Sequence, residues 1–182
     1  MIRLPAVGPS DIPVLETDRL RLRGHRLSDF VTSKAMWAQP QTAKHISGTP
    51  STPAESWARL TRFVGMWSLL GFSYWYVEEK ASNAFVGEVG FGDFKRDITP
   101  DIHGLPEIGW VLSPDMGGKG YATEAARAAL AWGDENFGDT PTVCIIKADN
   151  FPSIRVAEKC GFKRKAETLF NGAPTLLFER VR

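Results

Sequence analysis

The stretch Gly117-Gly118-Lys119-Gly120-Tyr121-Ala122-Thr123-Glu124 joins three glycines and a lysine to the start of an alanine-rich segment. Chemistry of this kind binds anions. The first turn of a helix has N–H groups without intrahelical partners, and the macrodipole adds partial positive charge there. Glycines let a phosphate approach the backbone where a Cβ would collide. A Walker loop would need Ser or Thr after its lysine, and Lys119 is followed by Gly120. The dinucleotide fingerprint also fails, because Thr123 stands where Gly or Ala is required. A helix entry built of turn residues, with no ligand, would use the same glycines.

Positioning such a loop takes a strand before it and a helix after it. Glu107 to Leu112 reads as the strand, ended by Ser113-Pro114-Asp115. Tyr121 to Phe137 reads as the helix, with Ala122, Ala125, Ala126, Ala129 and Leu130 at the spacing of one face. A second strand spans Thr142 to Ala148. Asp149-Asn150-Phe151-Pro152-Ser153 then leads into a helix from Ile154 to Cys160, closed by Gly161-Phe162.

Upstream, Met1 to Pro13 is rich in Pro and Gly and is expected to be a loose lead-in. Leu15 to Arg26 alternates as one half-buried strand, Leu20 and Leu22 opposite Arg19, Arg21 and Arg23. Helices are expected over Phe30 to Ala38, capped by Ser28-Asp29, and over Pro53 to Leu70, stopped by Gly71, with a loop between them. Trp57 and Trp67 fall at core spacing on the second. Strands follow over Phe72 to Glu79 and Ala84 to Phe94, then an irregular loop from Asp97 to Leu105. Phe162 to Phe170 and Thr175 to Val181 form a hairpin about Asn171-Gly172, a pair suited to positive φ.

Composition excludes several classes. The 182 residues fit one domain, 1–182, able to bury its own core. With 22 basic and 21 acidic residues there is no charge excess to favour nucleic acid or an anionic membrane. No basic-plus-apolar leader opens the chain, and no apolar run suits a membrane span, so a cytoplasmic protein is expected. Cys144 and Cys160 lack CxxC spacing, and His25, His45 and His103 are scattered, so no metal is expected.

Taken together, Glu107 to Trp110, Gly118 to Ala125, Asn150 with Ser153, and Lys159 to Phe162 resemble, in the right order, the Gcn5-related N-acetyltransferase (GNAT) superfamily. The likeness is to its branch of ribosomal-protein N-terminal acetyltransferases (RimJ/RimL-like) and their small-molecule relatives. It implies an α/β (α+β) fold: a mixed, strongly twisted, splayed sheet of about seven strands flanked by about four helices. It also implies acetyl-CoA as co-substrate and direct transfer of the acetyl group to a primary amine, on a small molecule or a protein N-terminus. Neither nucleic acid nor membrane is implied, and a homodimer is left open. An acyl-CoA-binding sensor of the same fold is the rival reading.

The resemblance also assigns residues. Glu107 corresponds to the carboxylate often assigned as base, with Glu88 in reserve; such a base removes the proton that an amine carries at neutral pH. A backbone N–H near Val111 or Leu112 would meet the oxyanion. Gly117, Gly118, Lys119, Gly120, Tyr121, Ala122 and Thr123 would hold the cofactor together with Asn150 and Ser153. Two departures stand out. Ala157 replaces the tyrosine that many relatives use as acid, which leaves Ser153 as candidate. Gly117 stands where the wider superfamily has Arg or Gln. The Asp97 to Leu105 loop, with His103, is a second candidate wall for the acceptor pocket, beside Trp37, Trp57, Trp67 and His45.

Overall fold

The computed structural model describes residues 2 and 4–181. Its elements run β1 (Leu15–Glu16), β2 (Leu20–Arg23), α1 (Phe30–Trp37), α2 (Pro40–Ala43), α3 (Pro53–Leu70), β3 (Tyr74–Glu79), β4 (Phe85–Gly92), β5 (Glu107–Leu112), α4 (Tyr121–Asn136), β6 (Thr142–Lys147), α5 (Phe151–Lys159), β7 (Lys163–Phe170) and β8 (Ala173–Arg180). The eight strands make one sheet in the order β1-β2-β3-β4-β5-β6-β8-β7. Only β5 and β6 run parallel, and they share a single register pair, Glu107 with Val143. Beyond it the two strands diverge. The sheet is therefore splayed at its centre, as the sequence implied.

Register assigns each side chain to a face. Across β3, β4 and β5, Tyr76, Glu88 and Val111 lie in one row and Tyr74, Gly90 and Gly109 in the next, with Glu107 beyond them. This face meets α1 and α3, since Phe63 stacks on Tyr74 at 4.4 Å and Trp37 reaches Glu88. The opposite face carries Trp75, Val89 and Phe91 against α4, where Trp132 and Phe137 close an aromatic cluster with edge-to-face contacts of 4.9–5.5 Å. Trp67, Trp75 and Phe91 are fully buried, each worth about 1.5–3 kcal/mol or more of transfer free energy. The helices on the two faces thus do different work. One face packs a dry core, and the other builds a site.

Local rules explain most element ends. Thr52 and Glu55 form a reciprocal capping box at the start of α3, and Gly71 ends it at φ 76°. Asn171 and Gly172, at φ 50° and 74°, turn the β7–β8 hairpin as expected.

Four expectations are corrected. The strand expected from Leu15 to Arg26 is broken in two, because Thr17 turns the chain by accepting the Leu20 N–H through its hydroxyl at 2.8 Å. Pro40 does not interrupt helix but starts α2, at a first-turn position where its missing N–H costs nothing. The lead-in is not loose in its described part: Leu4 and Val7 donate backbone N–H to Leu70 and Trp67, Trp75 donates to the Pro13 carbonyl, and Ile12 is buried. Trp57 is 44% exposed and packs edge-on to Phe30, so of the two tryptophans only Trp67 is core.

Candidate active site

The divergence of β5 and β6 opens one cavity of about 730 Å³, walled by Glu107 to Val111, by Cys144 to Lys147, and by Asn150 and Ser153. Backbone parity determines what it offers. Ser113 donates its N–H to Val86 on β4, so the odd-numbered residues of β5 point their N–H groups at β4. Pro106 accepts from Val143, so the even-numbered ones face β6. Past the single paired position, the N–H groups of Trp110 and Leu112 therefore open on the wedge. Of the two expected oxyanion donors, Leu112 has that orientation. Val111 spends its N–H on β4 and borders the cavity instead.

At the end of the same strand comes the glycine loop. Gly118 and Gly120 sit at φ 76° and 82°, a region that non-glycine residues enter only with strain, and a Cβ at Gly118 would meet nothing within 4 Å. Gly117 has an ordinary φ of −67°. Gly120 caps the 16-residue helix α4, and no side chain caps its first turn, formed by Tyr121, Ala122 and Thr123. These open donors, an exposed loop and the positive helix end suit the phosphates of a nucleotide cofactor. Lys119 is exposed beside Met116 and Tyr121.

Glu124, one position past the first turn, anchors this loop. Its carboxylate accepts from the Thr17 hydroxyl at 2.6 Å and from Arg19 Nε at 2.7 Å, while Arg19 Nη1 also reaches the Lys119 carbonyl at 3.0 Å. Hydrogen bonds and Arg19 hold this carboxyl below its ordinary range against the opposing effect of burial. Tyr121 adds a second tie through its hydroxyl to Glu79. The β1–β2 turn thus fixes the loop. Only the distance in sequence between Thr17-Asp18-Arg19 and Glu124 hid this.

Glu107 is 6% exposed and forms a two-pronged ion pair with Arg96, Nε to Oε2 at 2.6 Å and Nη2 to Oε1 at 2.8 Å. Burial pushes its carboxyl above the ordinary value, and Arg96 offsets only part of that. It borders the cavity. Glu88 does not, among the described residues. Fully buried, it accepts from Ser33 at 2.6 Å and Trp37 Nε1 at 2.9 Å, with His25 Nε2 at 3.5 Å. Burial opposes its ionisation, yet His25, Ser33 and Trp37 together keep its carboxyl below the ordinary value. The reserve carboxylate is therefore a support for Trp37, which does line the cavity.

Tyr74 was not singled out by sequence. Its ring crosses the row over Gly90, and its hydroxyl lies 2.0 Å from where a Cβ on Gly109 would be. This explains the glycine in Glu107-x-Gly109. Burial pushes the phenol well up, so it stays protonated at the cavity wall. Asn150 is the N-cap of α5, accepting from the Ser153 N–H at 3.4 Å, and Ser153 Oγ accepts the Trp110 indole N–H at 3.2 Å. The serine hydrogen is thereby left to donate elsewhere. Ala157 is fully buried under α5. His45 lines the cavity, whereas His103 is paired with Asp101 in the exposed loop, and the cavity wall ends before that loop, at Arg96.

A mixed sheet that opens between two parallel strands, with a glycine loop and helix following the first of them, defines an acyltransferase fold. Residues 19–163 match the family model described as acetyltransferase (GNAT) domain, and the chain belongs to that family. It is 31% identical to the Bacillus subtilis protein YkkB, described as uncharacterized, over 91% of this chain and 94% of that protein. A Bordetella pertussis structure assigned to the GnaT acetyltransferase family is 33% identical, with a TM-score of 0.82, over 92% of this chain and 99% of the other. The same fold, at 15% identity and a TM-score of 0.73, is found in RimL, a ribosomal-protein alpha-N-acetyltransferase in complex with coenzyme A, over 93% and 98% of the two chains. The fold neighbours thus include the RimJ/RimL-like branch, and acyltransferase activity follows from family membership. No helix among the described residues is long and apolar enough to cross a membrane.

Proposed function

We propose that this acyltransferase, residues 1–182 working as one domain, uses acetyl-CoA to acetylate a primary amine by direct transfer in a ternary complex. The observation that carries the proposal is the continuity of three features: the open N–H groups at the start of α4, the wedge lined by the Trp110 and Leu112 N–H groups, and the buried Glu107 on the wall of the same cavity. Acetyl-CoA supplies an activated thioester carbonyl. Gly117 to Thr123 hold phosphates through backbone N–H groups, with Lys119 as a point charge at the exposed rim. Asn150 fixes the first turn of α5 so that the Ser153 hydroxyl faces the cavity.

The chain's own groups then manage charge. Leu112, with Trp110 beside it, donates a backbone N–H to the carbonyl oxygen as negative charge builds there, in a site already oriented for it. Glu107 accepts the amine proton, directly or through one water, on a lone pair that Arg96 leaves unused. Its raised affinity for protons makes it a better base than an exposed glutamate, and Arg96 keeps it ionised at neutral pH. Tyr74 and Ser153 present hydroxyl hydrogens where the thiolate leaves. Thiol release from acetyl-CoA over a panel of N-terminal peptides, amino acids, polyamines and aminoglycosides tests this. Acceptor-dependent release that falls at least tenfold in Glu107→Gln, about 1.4 kcal/mol of transition-state stabilisation, is expected. Coenzyme A bound tightly with every amine ignored would move the chain to the sensor reading.

A further inference from the structure

The face of the cavity opposite the glycine loop carries charge that nothing in the chain neutralises. Arg59, Arg62, Phe63 and Met66 form one helical stripe of α3, and all four line the cavity. The Arg59 guanidinium lies 3.5 Å from the centre of the Trp37 ring and touches Ser51 Oγ at 3.4 Å. That of Arg62 lies 5.4 Å from the Phe94 ring and 5.9 Å from that of Phe63. Neither makes an ion pair among the described residues. The two carboxylates on the cavity wall are both engaged, Glu107 by Arg96 and Asp93 by Lys95 at 2.5 Å. Burial pulls the Arg59 guanidinium down, the mark of a cation set into a low-dielectric wall without a counter-charge in contact. Aromatic faces orient both forks and leave their N–H edges free for a planar anion.

We infer that Arg59 and Arg62 form an anion-binding subsite for the acceptor, so that the amine acetylated carries its own carboxylate. Resting on the acetyl-transfer reading above, this names the class of acceptor. Cofactor phosphates are a poor alternative for these two arginines. They stand on the α3 side of the sheet, with Tyr74 and Glu107, whereas the glycine loop leads α4, which packs on the other side. An amine bound by its carboxylate at α3 extends toward Glu107 across the same cavity. A polyamine would instead bring positive charge against two unneutralised guanidinium groups, at a cost that no nearby free carboxylate offsets.

Matched acceptors test this. Amino acids and dipeptides are compared with their C-terminal amides and with spermidine, in acetyl-transfer assays on the full-length protein. Separately, binding of the N-acetylated dipeptide and its amide to the coenzyme A complex is measured by calorimetry, which needs no turnover. The free acids are expected to exceed the amides at least tenfold in kcat/KM and in affinity. Arg62→Gln should collapse that ratio to within about twofold, with Arg62→Lys intermediate because it keeps charge and loses the fork. Affinity for coenzyme A should not change in either variant, which also reports that they fold. Equal handling of acids and amides, a preference for spermidine, or an acid-to-amide ratio untouched by Arg62→Gln would overturn the subsite. Selective binding of the acid without any transfer would support the subsite while sinking acetyl transfer. Transfer without selectivity would do the reverse.

Discussion

Glu88 and Glu107 are two carboxylates on adjacent strands of one sheet, on the same face, both nearly without solvent contact, and their surroundings give them opposite work. Glu88 is enclosed by Ser33, Trp37 and His25, donors from α1 and from the segment after β2, so its charge is consumed in holding Trp37. Glu107 stands where the sheet comes apart, held by one flexible guanidinium, with a cavity in front of it. Burial alone therefore does not make a carboxylate chemical. What separates the pair is whether its hydrogen-bonding capacity is saturated by the fold or left open to a ligand.

Removing each carboxylate should fail in a different observable. Glu88→Ala strips the acceptor from three buried donors and opens a cavity, so a stability loss of about 3–5 kcal/mol is expected in chemical unfolding. A loss under about 1 kcal/mol would show that the network around Trp37 is not structural. Glu107→Gln keeps shape and one acceptor oxygen. It should lower kcat/KM by about 10²-fold, near 2.7 kcal/mol, with coenzyme A affinity retained. If instead it mainly lowers stability and leaves the rate, the two carboxylates are alike after all and the comparison collapses.

The residues legible in the sequence were those governed by neighbours along the chain. Gly118 and Gly120 at positive φ, the Asn150 N-cap, the Asn171-Gly172 turn and the alternation of Leu20 with Leu22 all follow from local backbone chemistry or period. The splay between β5 and β6 came from family resemblance. What stayed hidden depends on register between distant segments. Arg96 belonged to an irregular loop until β5 brought Glu107 beside it. Tyr74 was an ordinary strand aromatic until Gly90 and Gly109 cleared a path beneath it. Arg59 and Arg62 read as the polar side of a helix, yet they line the cavity because α3 turns that stripe inward. Glu88 and Glu107 could not be ranked by flanking residues, since both sit in glycine-rich strands. The α1 partners that settle the matter lie more than fifty positions away from Glu88.

A smaller effect is expected at Tyr74, the residue that shares the face with both carboxylates. Tyr74→Phe keeps the stacking on Phe63 and removes only the hydroxyl over Gly109. A fall in kcat of about tenfold, roughly 1.4 kcal/mol, with KM for acetyl-CoA unchanged, would place that hydrogen in the reaction. An unchanged rate would leave it as packing.

The finest test of the contrast is the sign of a pH slope. The Glu88 carboxyl is held below its ordinary value of 4.5, so the stability it contributes is present above that value and lost as pH falls through the lower, folded-state value. The Glu107 carboxyl lies above its ordinary value of 4.5, so the folded protein takes up that proton first. The cost of burying its charge is relieved as pH falls through the raised value. Unfolding free energies of the native chain measured relative to Glu88→Gln should therefore decline with acidification. Measured relative to Glu107→Gln they should rise, and at a higher pH. Two slopes of the same sign would mean that Arg96 outweighs burial at Glu107. Its carboxylate would then be bound into the fold as firmly as that of Glu88, and a poor base.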